Sequence, residues 1–261
     1  MPSAARAIPL SQQATGPCAS ERLIVALDVP ELNEARAIVD ELGDAISFYK
    51  VGPHLFVTGL IGFIEELVGE GKHVFLDFKS VDIGDTMRGL AAKVARLGVE
   101  FLTVMGTTST ITAAKQGLDG SPIPKILVVT VLTDHDEADI RREYGEEKTV
   151  EQLAIDRAIM AAAAGADGVI CSPKEVAAIR RVVTRPGFLI ITPGVRPLGS
   201  ASDDQKRTGT PSEAMEASAD FIVIGRPIIR TPAGYRLRAA QAILDEMQQV
   251  LTPPSPLRVV G

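Results

Sequence analysis

The stretch DFKSVD, residues 77–82, follows the apolar run HVFL and places two carboxylates and one amine within a single short segment. Residues two apart on a strand point to the same face of a sheet. Asp77 and Lys79 are therefore predicted to share one face, with Phe78 on the other. An amine held beside carboxylates is an arrangement that can keep and transfer a proton. We predict proton chemistry at the end of this strand.

Each of these charged residues also has a structural explanation. Asp82 precedes a helical sequence and is suited to be its N-cap, and Lys50 would fit a solvated strand end. Charged residues at strand ends can also form a satisfied ion-pair network. Burial costs each ion on the order of several kcal/mol, so stability alone does not explain a cluster of Lys50, Asp77, Lys79 and Asp82. Their number favours a functional site.

Eight apolar runs, rich in β-branched residues, predict the strands that would position these groups. The runs cover residues 23–27, 46–51, 73–78, 100–104, 126–131, 168–171, 188–191 and 220–224. Apolar spacing of three and four residues predicts helices between most of them. The clearest helical segments are 32–42, 60–68, 87–97, 154–164 and 237–251. An additional short helix is predicted near 136–143.

Strands that alternate with helices pair in parallel through crossovers. The predicted fold is an α/β fold, a single-domain (β/α)8 TIM barrel over residues 21–251. The competing fold is a doubly wound open sheet, which usually has fewer strands and a glycine-rich first turn. The first turn here is LDVPEL. Residues 1–20 are predicted to be a flexible extension rather than a transit peptide, and residues 252–261 an irregular tail.

A barrel carries its active-site groups at the carboxyl ends of the strands. Charged, hydroxyl and glycine residues occupy this position after six of the predicted strands. They are Asp28, Lys50, Asp77, Lys79, Thr133, Pro193, Gly194, Arg196, Gly225 and Arg226. The basic and glycine-rich members follow the last two strands, where barrels often bind phosphate. Arginine suits that task because its planar fork binds two oxygens at once.

The segment 193–209 between these arginines is long and polar. Loops of this length usually act as lids or binding loops, and a plain surface loop is the alternative. The net charge of −6 gives no general attraction to nucleic acid or to a membrane surface. Cys18 and Cys171 have neither disulfide nor zinc-site spacing, so a reduced cytoplasm is expected. No apolar run has the length of a membrane span.

Eight short motifs occur in an order that resembles the orotidine 5′-monophosphate decarboxylase family. The segment DFKSVDIGDT, residues 77–86, resembles its D-x-K-x-x-D-I-x-x-T signature. The other motifs are ALDV, YKVG, TVLTDHD, CSPKE, TPGVRP, DDQKR and VIGRPI. Together they extend over about residues 22–250. Single motifs of this kind are weak, but their number, order and barrel spacing make the resemblance specific.

The resemblance implies a homodimeric (β/α)8 barrel that removes CO2 from orotidine 5′-monophosphate (OMP) and forms UMP without cofactor or metal. It implies a charged tetrad of Lys50, Asp77, Lys79 and Asp82, in which Asp82 reaches in from the partner subunit. Lys79 would donate the proton to C6 of the pyrimidine.

The resemblance also assigns the substrate-binding residues. Asp28 and Lys50 would bind the ribose hydroxyls, helped by Asp82, Ile83 and Thr86 at the shared interface. Thr133 would face the pyrimidine. The residues implied for the rest of the nucleotide are Arg196, Gln205, which would bridge the base and phosphate ends, and Arg226 with the Gly225 amide at the phosphate.

Three positions depart from the commoner bacterial form of the family. Val81 stands in place of a His, Gly84 in place of a Pro, and Met105 in place of a His. These changes affect the expected start of the helix and the dimer contact, but no tetrad member. Two alternatives stay open: an Mg2+-dependent sugar-phosphate decarboxylase or aldolase of the same superfamily, and a nucleotide-binding barrel without activity.

Overall fold

Eight parallel strands close into a barrel in sequence order in the computed structural model, which describes residues 18–197 and 207–252. The strands are β1 Leu23–Ala26, β2 Phe48–Val51, β3 His73–Ser80, β4 Phe101–Val104, β5 Lys125–Val129, β6 Gly168–Ile170, β7 Leu189–Thr192 and β8 Phe221–Ile224. The last strand pairs with the first through Ile24 and Val223. The predicted barrel is confirmed, and the open sheet is wrong.

Helices follow the strands and cover the barrel. They are α1 Ala19–Arg22, α2 Leu32–Leu42, α3 Leu60–Gly69, α4 Gly84–Ala95, α5 Thr108–Gly117, α6 Glu137–Tyr144, α7 Val150–Ala163, α8 Val176–Val182, α9 Pro211–Glu216, α10 Arg226–Ile229 and α11 Arg236–Leu251. The predicted additional helix near 136–143 is α6. Its first turn is fixed by Asp136, whose side chain accepts hydrogen bonds from the backbone N–H groups of Ala138 and Asp139.

Two apolar layers hold the barrel together. The larger lies between strands and helices, where aliphatic side chains from both are buried. The smaller fills the barrel interior and contains Phe48, Phe75, Phe101 and Phe221, whose rings pack edge-on or tilted. Bulky aromatic side chains inside the barrel make it a packed core rather than a pore. The site above them therefore has a rigid floor.

The domain boundaries proposed from the sequence fall mainly outside the described residues. Residues 1–17 and 253–261 belong to the predicted extension and tail, which stay predictions. The short helix α1 begins at Ala19, whose backbone N–H donates to Gln248 Oε1 at 3.1 Å. In the described part of the chain, no helix combines the length and the apolar character needed to cross a bilayer.

Candidate active site

A cavity of about 460 Å3 opens at the carboxyl ends of the strands. This volume lies within the usual range for small-molecule pockets, roughly 300–1,000 Å3. All ten residues predicted at the strand ends line it: Asp28, Lys50, Asp77, Lys79, Thr133, Pro193, Gly194, Arg196, Gly225 and Arg226. The interior side chain of Phe75 and the aliphatic side chains of Val129, Ile170 and Val223 complete the lining near the barrel axis. The residues predicted at the strand ends therefore meet in one cavity.

Alternating charges form a continuous chain on one side of this cavity. Lys50 Nζ lies 2.9 Å from Asp28 Oδ1 and 3.3 Å from Asp77 Oδ2. Lys79 Nζ lies 3.0 Å from both carboxylate oxygens of Asp77. Asp77 is thus held between two ammonium groups. Its residue is only 8% exposed, so these contacts lie in a poorly solvated environment.

The pKa values of this chain are set by a balance of burial and charge. Burial acts to lower the pKa of Lys50, but the carboxylates of Asp28 and Asp77 outweigh it and raise the pKa above its ordinary 10.5. Burial acts to raise the pKa of Asp77, but Lys50 and Lys79, with hydrogen bonds from Lys79 and Thr103, hold it below its ordinary 3.8. Both groups are therefore charged at neutral pH.

The backbone of Lys79 departs from a regular strand. Its φ is 49°, a left-handed conformation that residues other than glycine rarely adopt. Leu76 of β3 pairs with Leu102 of β4, and Ser80 pairs with Val104. Three residues of β3 therefore lie opposite one residue of β4, Thr103. Bulges of this kind redirect side chains next to active sites.

The bulge changes why Asp77 and Lys79 share a face. Simple alternation predicted their common orientation, and their side chains do meet. Phe78 packs toward the helices, against Phe56 in the 3-10 helix Pro53–Thr58, as expected. The irregular backbone at Lys79, rather than strand alternation alone, brings its ammonium onto Asp77.

Thr103 is a site residue that the sequence did not reveal. Its hydroxyl donates to Asp77 Oδ1 at 2.8 Å and accepts from the backbone N–H of Lys79 at 2.9 Å. It is fully buried and does not line the cavity. Threonine is common in strands, so its type gave no signal. The register of β4 against the bulge, visible only in the structure, identifies it.

The opposite end of the cavity carries the basic groups. Arg196 follows β7, and Gly225 and Arg226 follow β8, as predicted. Arg230 also lines the cavity, one turn after Arg226, at a position that lies too far beyond the strand end to be predicted. A Cβ atom on Gly225 would lie 3.3 Å from Ala26 Cβ, so a side chain there would crowd β1. This end is suited to an anionic group.

The segment 193–209 has both of its ends tied together. Val195 and Gly209 form an isolated parallel bridge, and the Arg196 N–H donates to the Gly209 carbonyl at 2.9 Å. Gly209 has no space for a side chain, because a Cβ would approach Pro173 Cβ to 2.9 Å. The predicted contact of Gln205 with the ligand falls outside the described residues.

A buried ion pair anchors the end of this segment. Arg207 pairs with Glu175, which follows β6 and is only 2% exposed. The same guanidinium donates to the carbonyls of His135 at 3.0 Å and Leu132 at 2.8 Å. Burial raises the pKa of Glu175 although Arg207 lowers it. The pair joins the loops that follow β5, β6 and β7.

Three predicted residues do not join the cavity of this chain. Asp82, Ile83 and Thr86 are exposed and absent from its lining. The predicted N-cap role of Asp82 is wrong: α4 begins at Gly84 with Ile83 as N-cap. The Asp82 carboxylate instead accepts from the N–H of the next residue, Ile83, at 2.7 Å. That contact lies too close in sequence to cap the helix.

The departures from the commoner family pattern are accommodated locally. Gly84 begins α4 without a proline at that position. Val81 is 64% exposed. Met105 packs on the interior apolar cluster. His54, on the turn after β2, also lines the cavity and was missed because it lies beyond the predicted strand end.

The fold and the site define a class: a (β/α)8 enzyme whose cavity pairs a lysine–aspartate array with an arginine-rich end. A family model described as the orotidine 5′-phosphate decarboxylase / HUMPS family matches residues 21–243. The chain belongs to this family.

Relatives and a solved structure agree with this membership. An orotidine 5′-phosphate decarboxylase of Nitrobacter winogradskyi is 48% identical over 235 residues, which covers 90% of this chain and 96% of the relative. One from Afipia carboxidovorans is 44% identical and covers 91% and 98%. The crystal structure of the Lactobacillus acidophilus enzyme has a TM-score of 0.74 at 36% identity, covering 87% of this chain and 98% of that one.

Proposed function

We propose that this protein is an orotidine 5′-monophosphate decarboxylase that converts OMP to UMP and CO2 without metal or organic cofactor. This reaction is the last step of de novo UMP synthesis. The observation that carries the proposal is the Lys50–Asp77–Lys79 array, with Asp77 buried between the two ammonium groups, in a cavity whose far end is rich in arginine. Family membership supports the same activity.

The chemical problem is a localised carbanion. When the C6–carboxylate bond breaks, the electron pair stays in an sp2 orbital on C6, and no adjacent carbonyl delocalises it. Without an electron sink such as pyridoxal phosphate, the protein itself must supply stabilisation. Fixed charges in a site with little water are the effective means, because they need no reorganisation as the negative charge develops.

Lys79 is the proposed stabiliser and proton donor. Its ammonium attracts the electron pair at C6 and then transfers one proton to that carbon, leaving a neutral amine that solvent reprotonates. Asp77 is proposed to lie beside the substrate carboxylate and to repel it, and this repulsion ends when neutral CO2 leaves. Lys50 keeps Asp77 ionised for that purpose, since it lies 3.3 Å from its carboxylate.

The remaining residues are proposed to hold the nucleotide. Asp28 and Lys50 bind the ribose hydroxyls, and Thr133 faces the pyrimidine. The phosphate is bound by Arg226 and the Gly225 amide, with Arg196 at the same end and Gln205 bridging base and phosphate. Binding energy from the distant phosphate then helps to orient the reacting carbon.

Consumption of OMP by purified protein, followed by ultraviolet absorbance, tests the activity. We expect a decrease in absorbance with formation of UMP in equal amount. A barrel that only binds nucleotides would be protected against heat unfolding by UMP but would leave OMP intact. That result would overturn the proposal.

The Mg2+-dependent alternative is addressed by the position of Lys50. Its ammonium lies between the carboxylates of Asp28 and Asp77, at the place where a divalent ion would have to bind both. Among residues 18–197 and 207–252, no group of three or more His, Cys, Asp and Glu side chains is arranged to hold a metal ion. Activity on OMP is expected to be unchanged by EDTA, and a loss restored by Mg2+ would favour the alternative.

We also propose that the active form is a homodimer. Large apolar side chains are exposed on the segments that follow β2 and β3 and at the start of α3: Phe56, Val57, Ile61, Val81 and Ile83. Ile83 is 74% exposed, and Asp82 and Thr86 lie next to it. Exposed apolar side chains grouped in this way suit a protein–protein contact. A second copy would cover them and bring Asp82 of the partner subunit to the charged array.

Mixing two inactive variants tests the shared site. Lys79→Ala and Asp82→Asn each disable both sites of their own homodimer. After subunit exchange, random pairing puts one intact site into half of the dimers, so about a quarter of the sites regain activity. No recovery on mixing would contradict a site shared between subunits.

The protein is further proposed to act in the cytoplasm, where its bacterial relatives' pathway operates.

A further inference from the structure

The hydroxyl of Thr103 joins the two catalytic partners at one atom. It donates its only proton to Asp77 Oδ1 at 2.8 Å and accepts from the Lys79 N–H at 2.9 Å. Thr103 is fully buried and lies outside the cavity lining. It therefore reaches the substrate only through its neighbours.

The bond to Lys79 holds an unusual backbone conformation. Residues 77–79 of β3 lie opposite Thr103 alone, because the strand register shifts between Leu76 and Ser80. In this bulge the Lys79 N–H bonds to a side-chain hydroxyl instead of a strand carbonyl. Left-handed backbone at a residue other than glycine persists only where the surroundings impose it. Thr103 is one of the groups that impose it.

We propose that Thr103 is a positioning residue for the decarboxylation, fixing the Asp77 carboxylate and the Lys79 backbone relative to one another. This inference rests on the proposed function. It means that the position of the proposed proton donor depends on β4, a strand that contributes no side chain to the cavity lining. Small displacements of a donor from the reacting atom reduce turnover without a matching loss of binding.

Other buried threonines lack this connection. Thr130, at the end of β5, donates only to the Ile170 carbonyl at 2.9 Å. It is as deeply buried as Thr103 and does not line the cavity. Thr130 therefore provides a matched control in which the same substitution removes a buried hydroxyl of similar surroundings but leaves the catalytic pair untouched.

The experiment compares Thr103→Val, Thr103→Ser and Thr130→Val with the wild type. Valine keeps the shape of threonine and removes the hydroxyl. We expect Thr103→Val to lower kcat about ten- to hundredfold, the cost of an unsatisfied buried polar group at the reacting centre. KM for OMP and Kd for UMP stay within about threefold, since ligand contacts are intact. Thr103→Ser and Thr130→Val stay near wild-type kcat.

The pH profile provides a second readout. Asp77 faces Lys50 on β2 and Lys79 on β3, and Asp28 on β1 lies across Lys50. The Thr103 hydrogen bond is one of the contacts that lower the pKa of Asp77. Its removal should move the acid limb of kcat/KM to higher pH in Thr103→Val alone. Thr130→Val should leave that limb unchanged.

Several outcomes would overturn the inference. They are wild-type kcat in Thr103→Val, a serine variant as slow as the valine variant, or a fall in kcat matched by Thr130→Val at equal loss of Tm. A rise of KM and Kd in proportion to the loss of kcat/KM would also contradict it. Wild-type protein inactive on OMP would overturn both proposals, whereas these results with an active wild type overturn this one alone.

Discussion

The two ends of the cavity are built on different principles. At the β2–β4 end, charges of both signs alternate, and every member of the Lys50–Asp77–Lys79 series contacts an opposite charge. At the β7–β8 end, the lining side chains with charge are all arginines, accompanied by glycine and proline. One end is neutralised within the protein, and the other presents a single sign of charge.

The difference separates the end of the cavity that is proposed to carry out the reaction from the end that is proposed to bind the phosphate. An array of paired charges is organised before the substrate arrives, so its groups need little movement when charge develops on the reacting carbon. An arginine-rich end attracts a dianionic phosphate in a protein of net charge −6. Mutations at the first end should therefore affect turnover, and mutations at the second should affect binding.

The largest expected effect follows removal of the proposed proton donor. Lys79→Ala should lower kcat/KM by at least about 10^4-fold, because general-acid and electrostatic contributions are lost together. Steady-state OMP consumption measures it. Lys125→Ala, at the opposite end of the barrel, is the control and should be near wild type. Near-native turnover without Lys79 would contradict the assignment of the reaction to the Lys50–Asp77–Lys79 end of the cavity.

The next effect concerns the buried ion pair between Arg207 and Glu175 at the end of segment 193–209 and its contribution to stability. Arg207→Met should reduce the free energy of unfolding by about 3–5 kcal/mol, because it leaves the buried Glu175 carboxylate without its partner. Denaturant unfolding measures this change. Adding Glu175→Gln should recover part of the loss. Additive effects of the two substitutions would show that the pair is energetically unimportant.

At the arginine-rich end, the expected effect is on binding. Arg226→Ala should raise KM and lower kcat/KM for OMP about ten- to hundredfold, the cost of a lost charge-assisted hydrogen bond to phosphate. Turnover should stay measurable. The nucleoside orotidine, which lacks the phosphate, is the control substrate, and the variant and the wild type should process it equally. An equal loss on both substrates would contradict the proposed division of the cavity.

The smallest expected effect is a pH dependence of the free energy of unfolding, which again distinguishes the two ends of the cavity. The folded-state pKa of Asp77 is lowered, so its stabilising contribution is present above pH 3.8, the ordinary value, and is lost as pH falls through the folded value. Unfolding free energy should decline there by at most about 1.4 kcal/mol per pH unit from this group. Asp77→Asn should lack this component, whereas the arginines do not titrate in that range. An identical acid slope in Asp77→Asn would be contrary evidence.

Much of the barrel was predictable because its signals are local. Eight apolar runs gave eight strands, and their ends differ from the structure by one or two residues in most cases. Long periodic helices such as α2 and α11 were also identified. Elements such as α5 and α10 carry too few apolar repeats to be distinguished from loops. Their formation depends on packing against the barrel.

The site was predictable only where residue type and strand position coincide. Asp28, Lys50 and Asp77 lie at or near the carboxyl ends of their strands, so the barrel rule placed them at the cavity. The bulge at Lys79 was not predictable, because it arises from the register between β3 and β4. The alternative explanation of Asp82 as a helix cap is wrong, although an Asp before a helix often is one, because α4 begins two residues after it. The roles of Gln205 and of the partner's Asp82 remain predictions.

The bridge between Val195 and Gly209 has a practical consequence for protein engineering. The two stems of this segment, at Val195 and Gly209, are hydrogen-bonded to each other. The sequence between them therefore begins and ends at adjacent points on the barrel. Transplanting the corresponding stretch from another family member, with both stem residues retained, should exchange residues 196–208 as one unit. Neither β7 nor α9 would need redesign.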